Sequence, residues 1–296
     1  MGRNAKTQKT KKVTKVTDID PLNKIMVHIY PKRTESEVYL SQSFDITKLL
    51  KFIESKRQAN PETKMTLFHC MVAIMLRILK ERPVMNRYIT GGALFQRNFI
   101  SAAFVSKQKL EGNTKEQLML LTAKDDMTID SISKTIVGDI KAVQDKESSN
   151  EGFNDIVKFL SRFPRLLLIF MSKIVGWLGY WGYAPRSLKD GDPNFSSVLI
   201  TNLGSIIDCS SIYHHLNNYG TNSLIVAIGR IYKKEIIAQD STKQVRDFVD
   251  IGFTVDERIA YGYYLTDSLK FFKYMLDNPE ILDLPLGKQS NFEAVQ

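Results

Sequence analysis

Cysteine is scarce in this chain: Cys70 and Cys209 are the only two in 296 residues, and they form no C-x-x-C pair. Two thiols cannot build the disulfide framework of a small secreted domain, so a reducing, cytoplasmic setting is expected. The four histidines, His28, His69, His214 and His215, show no paired ligand spacing on a helix, which argues against a zinc site. A G-x-G-x-x-G fingerprint, a P-loop and an interleaved basic and aromatic pattern are all missing, so neither a dinucleotide enzyme nor a nucleic-acid binder is indicated. No apolar h-region opens the chain, and Lys6 stands where a myristoylation signal needs a hydroxyl. Acidic residues are absent before Asp18, whereas Arg3, Lys6, Lys9, Lys11, Lys12 and Lys15 supply six of the net nine positive charges. Residues 1–17 are therefore predicted to be a disordered, solvated arm, in preference to a nucleic-acid or lipid contact.

What remains has ordinary globular composition, with 43% hydrophobic and 25% charged residues. Residues 18–285 are read as one domain and residues 286–296 as a tail. One long apolar segment interrupts this picture. Leu166 to Tyr183 is broken only by Lys173, a serine and three glycines, and it ends in the aromatic cluster Trp177, Tyr180, Trp181 and Tyr183. A helix buried in the fold or facing another copy of the chain is expected there. A membrane-surface helix is the less favoured reading, and a true span less favoured still.

Patterning predicts the rest. Glu37 to Phe44 has a half-buried strand pattern, and Asp45 can cap a helix whose apolar positions are Ile46, Leu49, Leu50 and Ile53. Asn60-Pro61 breaks it. Thr66 opens a second helix, Leu67 to Glu81, apolar on nearly every side and ended by Arg82-Pro83. Phe99 to Ser106 and Gln117 to Thr122 read as strands, Thr128 to Asp145 as a helix and Lys146 to Gly152 as a polar connector. Strong strands follow at Ser197 to Asn202, Ser223 to Arg230 and Asp247 to Val255, and a last helix runs from Tyr263 to Leu276. A mixed sheet covered by helices fits this order better than a strict alternation of strand and helix.

Three blocks carry a likeness to a known family. They are Thr66 to Tyr88, the pair Leu199-Ile200-Thr201-Asn202-Leu203-Gly204 and Val226-Ala227-Ile228-Gly229-Arg230, and Asp256-Glu257-Arg258-Ile259-Ala260-Tyr261-Gly262 with its Asn278-Pro279-Glu280 close. In this order they resemble the catalytic domain of the acyltransferase component of 2-oxo acid dehydrogenase complexes, and that of chloramphenicol acetyltransferases, over about residues 20–285. The resemblance implies an α/β two-layer sandwich, a homotrimer with its active site between subunits, and coenzyme A or acyl-CoA as substrate, with no metal. Neither a lipoyl domain nor an Ala/Pro-rich linker precedes the domain in this sequence, so a stand-alone member is expected.

The departures bear on the chemistry. The family carries D-H-R-x-x-D-G or H-H-x-x-x-D-G where this chain keeps Asp256, Arg258 and Gly262 but has Glu257 for the histidine and Tyr261 for the second aspartate. Imidazole titrates near the working pH, whereas a glutamate starts near 4.3 and needs burial to serve as a base. An ion pair of Glu257 with Arg258 or a neighbouring subunit is the preferred reading, and packing against Tyr263 and Tyr264 is the plain role for Tyr261. Thr201 matches the family's oxyanion-binding serine, and a β-branched strand residue is an equal alternative. The tandem His214-His215, close in sequence to Thr201, is a candidate replacement base, although a solvated or interface loop is preferred. His69 reads as a satisfied core histidine, and His28 offers less. Two functions stay open: coenzyme A-dependent acyl transfer with an altered base, or a non-catalytic homo-oligomer that binds acyl-CoA or serves as a scaffold.

Overall fold

The computed structural model describes residues 13–60, 64–107, 116–145, 162–181, 183, 192–204, 208–210, 213–238 and 240–292. Its strands are β1 (Val13–Lys15), β2 (Glu37–Asp45), β3 (Arg87–Thr90), β4 (Ala93–Arg97), β5 (Ser101–Lys107), β6 (Glu116–Thr122), β7 (Val198–Asn202), β8 (Leu224–Ile237) and β9 (Lys243–Asp256). Its helices are α1 (Pro21–Ile29), α2 (Thr47–Ala59), α3 (Leu67–Glu81), α4 (Ile129–Asp145), α5 (Arg165–Tyr180) and α6 (Gly262–Asp277). Six strands form a mixed sheet in the order β2-β9-β8-β7-β5-β6, parallel only where β7 lies between β5 and β8. A second sheet, β1-β4-β3, is antiparallel.

The helical layer explains the near-continuous apolar run of α3. Residues His69 to Leu79 are all buried, because α3 is packed by α2, α4 and α6 while it lies on β5 and β7. Asp45 caps α2 as its position predicts, its carboxylate accepting from the Thr47 amide at 2.9 Å. Phe253 meets Phe44 and Phe272 edge to face, Phe44 lies tilted on Phe272, and the three join the β2–β9 edge of the sheet to α6. His69 is a satisfied core histidine: its Nδ1 meets Ser133 Oγ at 2.9 Å, and burial lowers its pKa to about 4, with Arg57 adding to the effect. Cys70 beside it is a free thiol, which burial pushes up to about 12.

Several expectations change. Val13–Lys15 pairs with β4 and so is strand, not disordered arm; residues 1–12 lie outside the described residues. The stretch after 285 is not a loose tail up to residue 292, since Leu286 is buried and donates to Met127 O, Ser290 Oγ bonds Glu81, and Phe292 stacks on Phe271. β8 runs seven residues past Arg230 and pairs with an equally extended β9, forming a hairpin that projects beyond the sheet. The Lys146 to Gly152 connector lies outside the described residues. For the apolar segment, burial within the chain is excluded, and of the two expected settings only a face towards another copy stands. Helix α5 is not buried: Leu166 is 82% exposed, Phe170 61% and Trp177 60%, and only Gly179 of the helix is buried. Among the described residues, no helix is long and apolar enough to cross a membrane.

Candidate functional site: two half-sites at opposite ends of the sheet

Strand β9 ends at Asp256, and the chain then makes one tight turn, Glu257–Ile259, before α6 begins. Asp256 is fully buried, and its carboxylate accepts from Arg258 Nε at 2.8 Å, Arg258 Nη2 at 2.7 Å, the Arg258 amide at 3.2 Å and Ser36 Oγ at 3.1 Å. Arg258, equally buried, sends its remaining arm to Tyr30 O. A two-point pair of this kind holds the turn rigid because removal of either partner would strand a charge away from water. Arg33 completes the corner. Its guanidinium donates to Ile89 O at 2.7 Å and Asn218 O at 3.1 Å; burial lowers it to about 10, while Asp256 pulls it up and Arg258 pushes it down.

This corner corrects the reading of Glu257. Arg258 is committed to Asp256, so the expected Glu257–Arg258 pair does not form. The Glu257 amide donates to Ser36 O at 2.9 Å, its side chain is half-buried, and its carboxylate has no partner among the described residues. Tyr261 is exposed and shows no ring contact with Tyr263 or Tyr264 among the described residues, so the expected aromatic packing is also missing. Gly262 opens α6 with nothing within 4 Å of where a Cβ would stand.

The second half-site is built by steric fit. Thr201 and Asn202 close β7, opposite Ala227 and Ile228 of β8. The chain then turns, and both the Leu203 and Gly204 amides donate to Ile228 O at 3.1 Å. A Cβ on Gly204 would stand 2.0 Å from Gly229 O, and one on Gly229 would stand 2.1 Å from Ser210 O. Only glycine fits at either place. The two sequence blocks that end in these glycines are thus halves of one packed turn, seated where the β8–β9 register shifts between Ile228 and Ile231.

These half-sites do not meet within one chain. Thr201 lies level with Gly252 through Ala227, and β9 continues four residues further to Asp256. That offset is about 14 Å along the strand and roughly 10 Å across two strand spacings. A proton-transfer partner must come within about 3 Å.

The tandem histidines sit at the end that sequence distance does not suggest. Ser210 packs at Gly229, beside Thr201's end, but Tyr213 then meets Tyr39 edge-on and the Leu216 amide donates to Glu37 Oε2 at 2.7 Å. Glu37 stands opposite Asp256 in the β2–β9 ladder, and Asn218 is held by Arg33 and Thr34. His214 and His215, exposed and stacked with ring centroids 5.1 Å apart, are therefore carried to the Asp256 corner. The clue to this placement was the buried Leu216 that follows them.

Residues 184–284 match the family model described as 2-oxoacid dehydrogenases acyltransferase, catalytic domain. The chain has the chloramphenicol acetyltransferase-like acyltransferase fold. A dihydrolipoamide acetyltransferase from Azotobacter vinelandii, in which a serine, a histidine and an asparagine have been investigated for their role in the catalytic mechanism, superposes with a TM-score of 0.59 at 13% identity, over 90% of this chain and 94% of that one. A probable dihydrolipoamide acetyltransferase from Listeria monocytogenes gives 0.57 at 14% identity over 95% and 98%. A chloramphenicol acetyltransferase gives 0.52 at 13% identity over 90% and 98%. No curated protein matches the chain in sequence. At these identities the structural likeness establishes the fold alone. Within that acyltransferase fold, the family-model match spans β7, β8, β9 and α6 and so contains both half-sites, while α5 lies before it.

Proposed function

We propose that this chain is a coenzyme A-dependent acyltransferase of the cytoplasm, active as a homo-oligomer in which the Asp256 corner of one copy faces Thr201 of the next. The observation that carries this reading is the separation of the two half-sites, each of which is rigidly built yet incomplete. A trimer closing the gap between them would also shut water away from Glu257, which is half-buried within a single copy.

In such a cleft the corner supplies the base. Glu257 or an imidazole of His214 or His215 takes the proton of an acceptor thiol, hydroxyl or amine. The freed electron pair attacks the thioester carbonyl of acyl-CoA, Thr201 Oγ donates to the oxyanion, and coenzyme A leaves as a thiolate that regains the proton. Asp256 and Arg258 keep the turn in place and take no part in the proton transfer. Glu257 has the family's position for the base, and the imidazoles stand at the same corner.

The test is release of free coenzyme A from acetyl-CoA with a panel of thiol and amine acceptors, run on the parent chain, Glu257→Gln, His214→Gln and His215→Gln. Loss of general-base assistance lowers the rate by about 10²–10⁴-fold, so one variant should fall by that much while the others stay near the parent. Sedimentation should give an oligomer, and an active monomer would sink the shared-cleft reading. The second reading is a non-catalytic acyl-CoA-binding oligomer, favoured by the exposure of Tyr261 where the family has a carboxylate. Tight acetyl-CoA binding with no release by any protein would establish it.

A further inference from the structure

Helix α5 carries more uncovered apolar surface than a helix in water tolerates. Leu166, Phe170 and Trp177 fall at helical spacing on one face with Lys173 among them, and Leu167, Ile169 and Ile174 are exposed around the flanks. The stripe from 166 to 177 is about 17 Å long. Among the described residues its hydrogen bonds to the body lie at the C-terminal end of the helix, while Leu168, Met171, Val175 and Leu178 form a half-buried face opposite the stripe. Tyr180 O accepts from Thr90 Oγ at 2.6 Å and from the Gly91 amide, and Gly179 lies against Tyr219. The β3–β4 turn then links α5 to α1, since the Tyr180 hydroxyl and the His28 ring both come within 4 Å of a Cβ position on Gly92. Helix α1 presents Leu22, Ile25 and Ile29, all more than half exposed, in an i, i+3, i+7 row.

The charges along α5 have one sign. From Arg162 to Tyr183 the chain carries Arg162, Arg165 and Lys173 and no acid, whereas the Lys24 of α1 is balanced by Asp18 and the capping Asp20 just before the helix. Two α5 helices meeting face to face would set these cations against one another. An anionic surface would complement them, with Lys173 reaching past the apolar stripe and the aromatic end lying at headgroup level. We propose that α5 and α1 dock the chain on an anionic phospholipid bilayer, flat in the interface and without spanning it.

Both tryptophans of the chain, Trp177 and Trp181, lie at this element, so intrinsic fluorescence reads it directly. The full chain is mixed with phosphatidylcholine vesicles containing phosphatidylglycerol, or with pure phosphatidylcholine vesicles, and followed by flotation and tryptophan emission. Flotation and a blue shift are expected with the anionic vesicles, and each of Arg165→Gln and Lys173→Gln should weaken binding about fivefold. Phe170→Glu, at an exposed position, should abolish flotation while leaving the far-ultraviolet circular dichroism and coenzyme A release unchanged. Failure to float at millimolar anionic lipid would overturn the proposal. So would a blue shift that depends on protein concentration without lipid and disappears with Phe170→Glu, because a second copy would then be the occupant.

Discussion

The Asp256 corner and the Thr201–Gly204 turn lie at opposite ends of one sheet and are held by different physics. The corner is electrostatic: a buried carboxylate grips its own loop through Arg258 and the β2 entry through Ser36. The turn is steric: two glycines let two stretches of backbone touch where a methyl group has no room. In both, what is held most tightly is the residue that shapes the backbone. Glu257 and Tyr261, beside the corner, are partly or fully open to solvent.

Substitutions can break each end on its own terms. The largest effect is expected from Asp256→Asn, which leaves Arg258 buried beside Arg33 without a counter-charge; about 3–5 kcal/mol of stability should be lost in urea unfolding. Gly204→Ala should follow at about 2–3 kcal/mol, because the neighbour in the way is backbone and cannot rotate aside. A fully folded, parent-like Gly204→Ala protein would contradict the steric account.

The helical layer offers a control in which a buried titratable group has no counter-ion. Burial holds the folded pKa of His69 at about 4, below its usual 6.5, so the unfolded chain binds more protons between those values. Stability should then be full above about pH 6.5 and fall by about 2–3 kcal/mol as pH drops towards 4, with His69→Gln flattening that segment of the profile. The smallest effect is expected at Gly262, where a Cβ meets open space in one copy. Gly262→Ala should change protomer stability by less than about 1 kcal/mol. A selective loss of oligomer or of coenzyme A release would show that a neighbouring copy or the substrate fills that space.

How much of this was legible in the sequence depended on the reach of each interaction. The bounds of α3 could be read from Thr66 and Pro83 because a continuously apolar helix needs only local stop signals. Asp45 as a cap and the three late strands were readable for the same reason. The β3–β4 hairpin was missed although Gly91-Gly92 marks its turn, both glycines having positive φ. Helix α1 was missed although Asp20-Pro21 is a cap followed by a first-turn proline. The extension of β8 and β9 was hidden by charged residues that a strand beyond the core can carry. At the site, the Asp256–Arg258 pair lies within a single motif, but its supports Ser36 and Tyr30 sit more than 200 residues away. The histidine pair misled because closeness to Thr201 along the chain says nothing about where a loop is tied down.

Glu37 does that tying. One of its carboxylate oxygens holds the Leu216 amide, the other receives the Tyr39 hydroxyl, and its strand partner is Asp256. A chain could keep every residue of the D-x-R block and the T-N-L-G turn and still let its imidazoles drift, if this one side chain were shortened. Relatives compared by signature alone would then look intact while lacking the anchor that delivers His214 and His215.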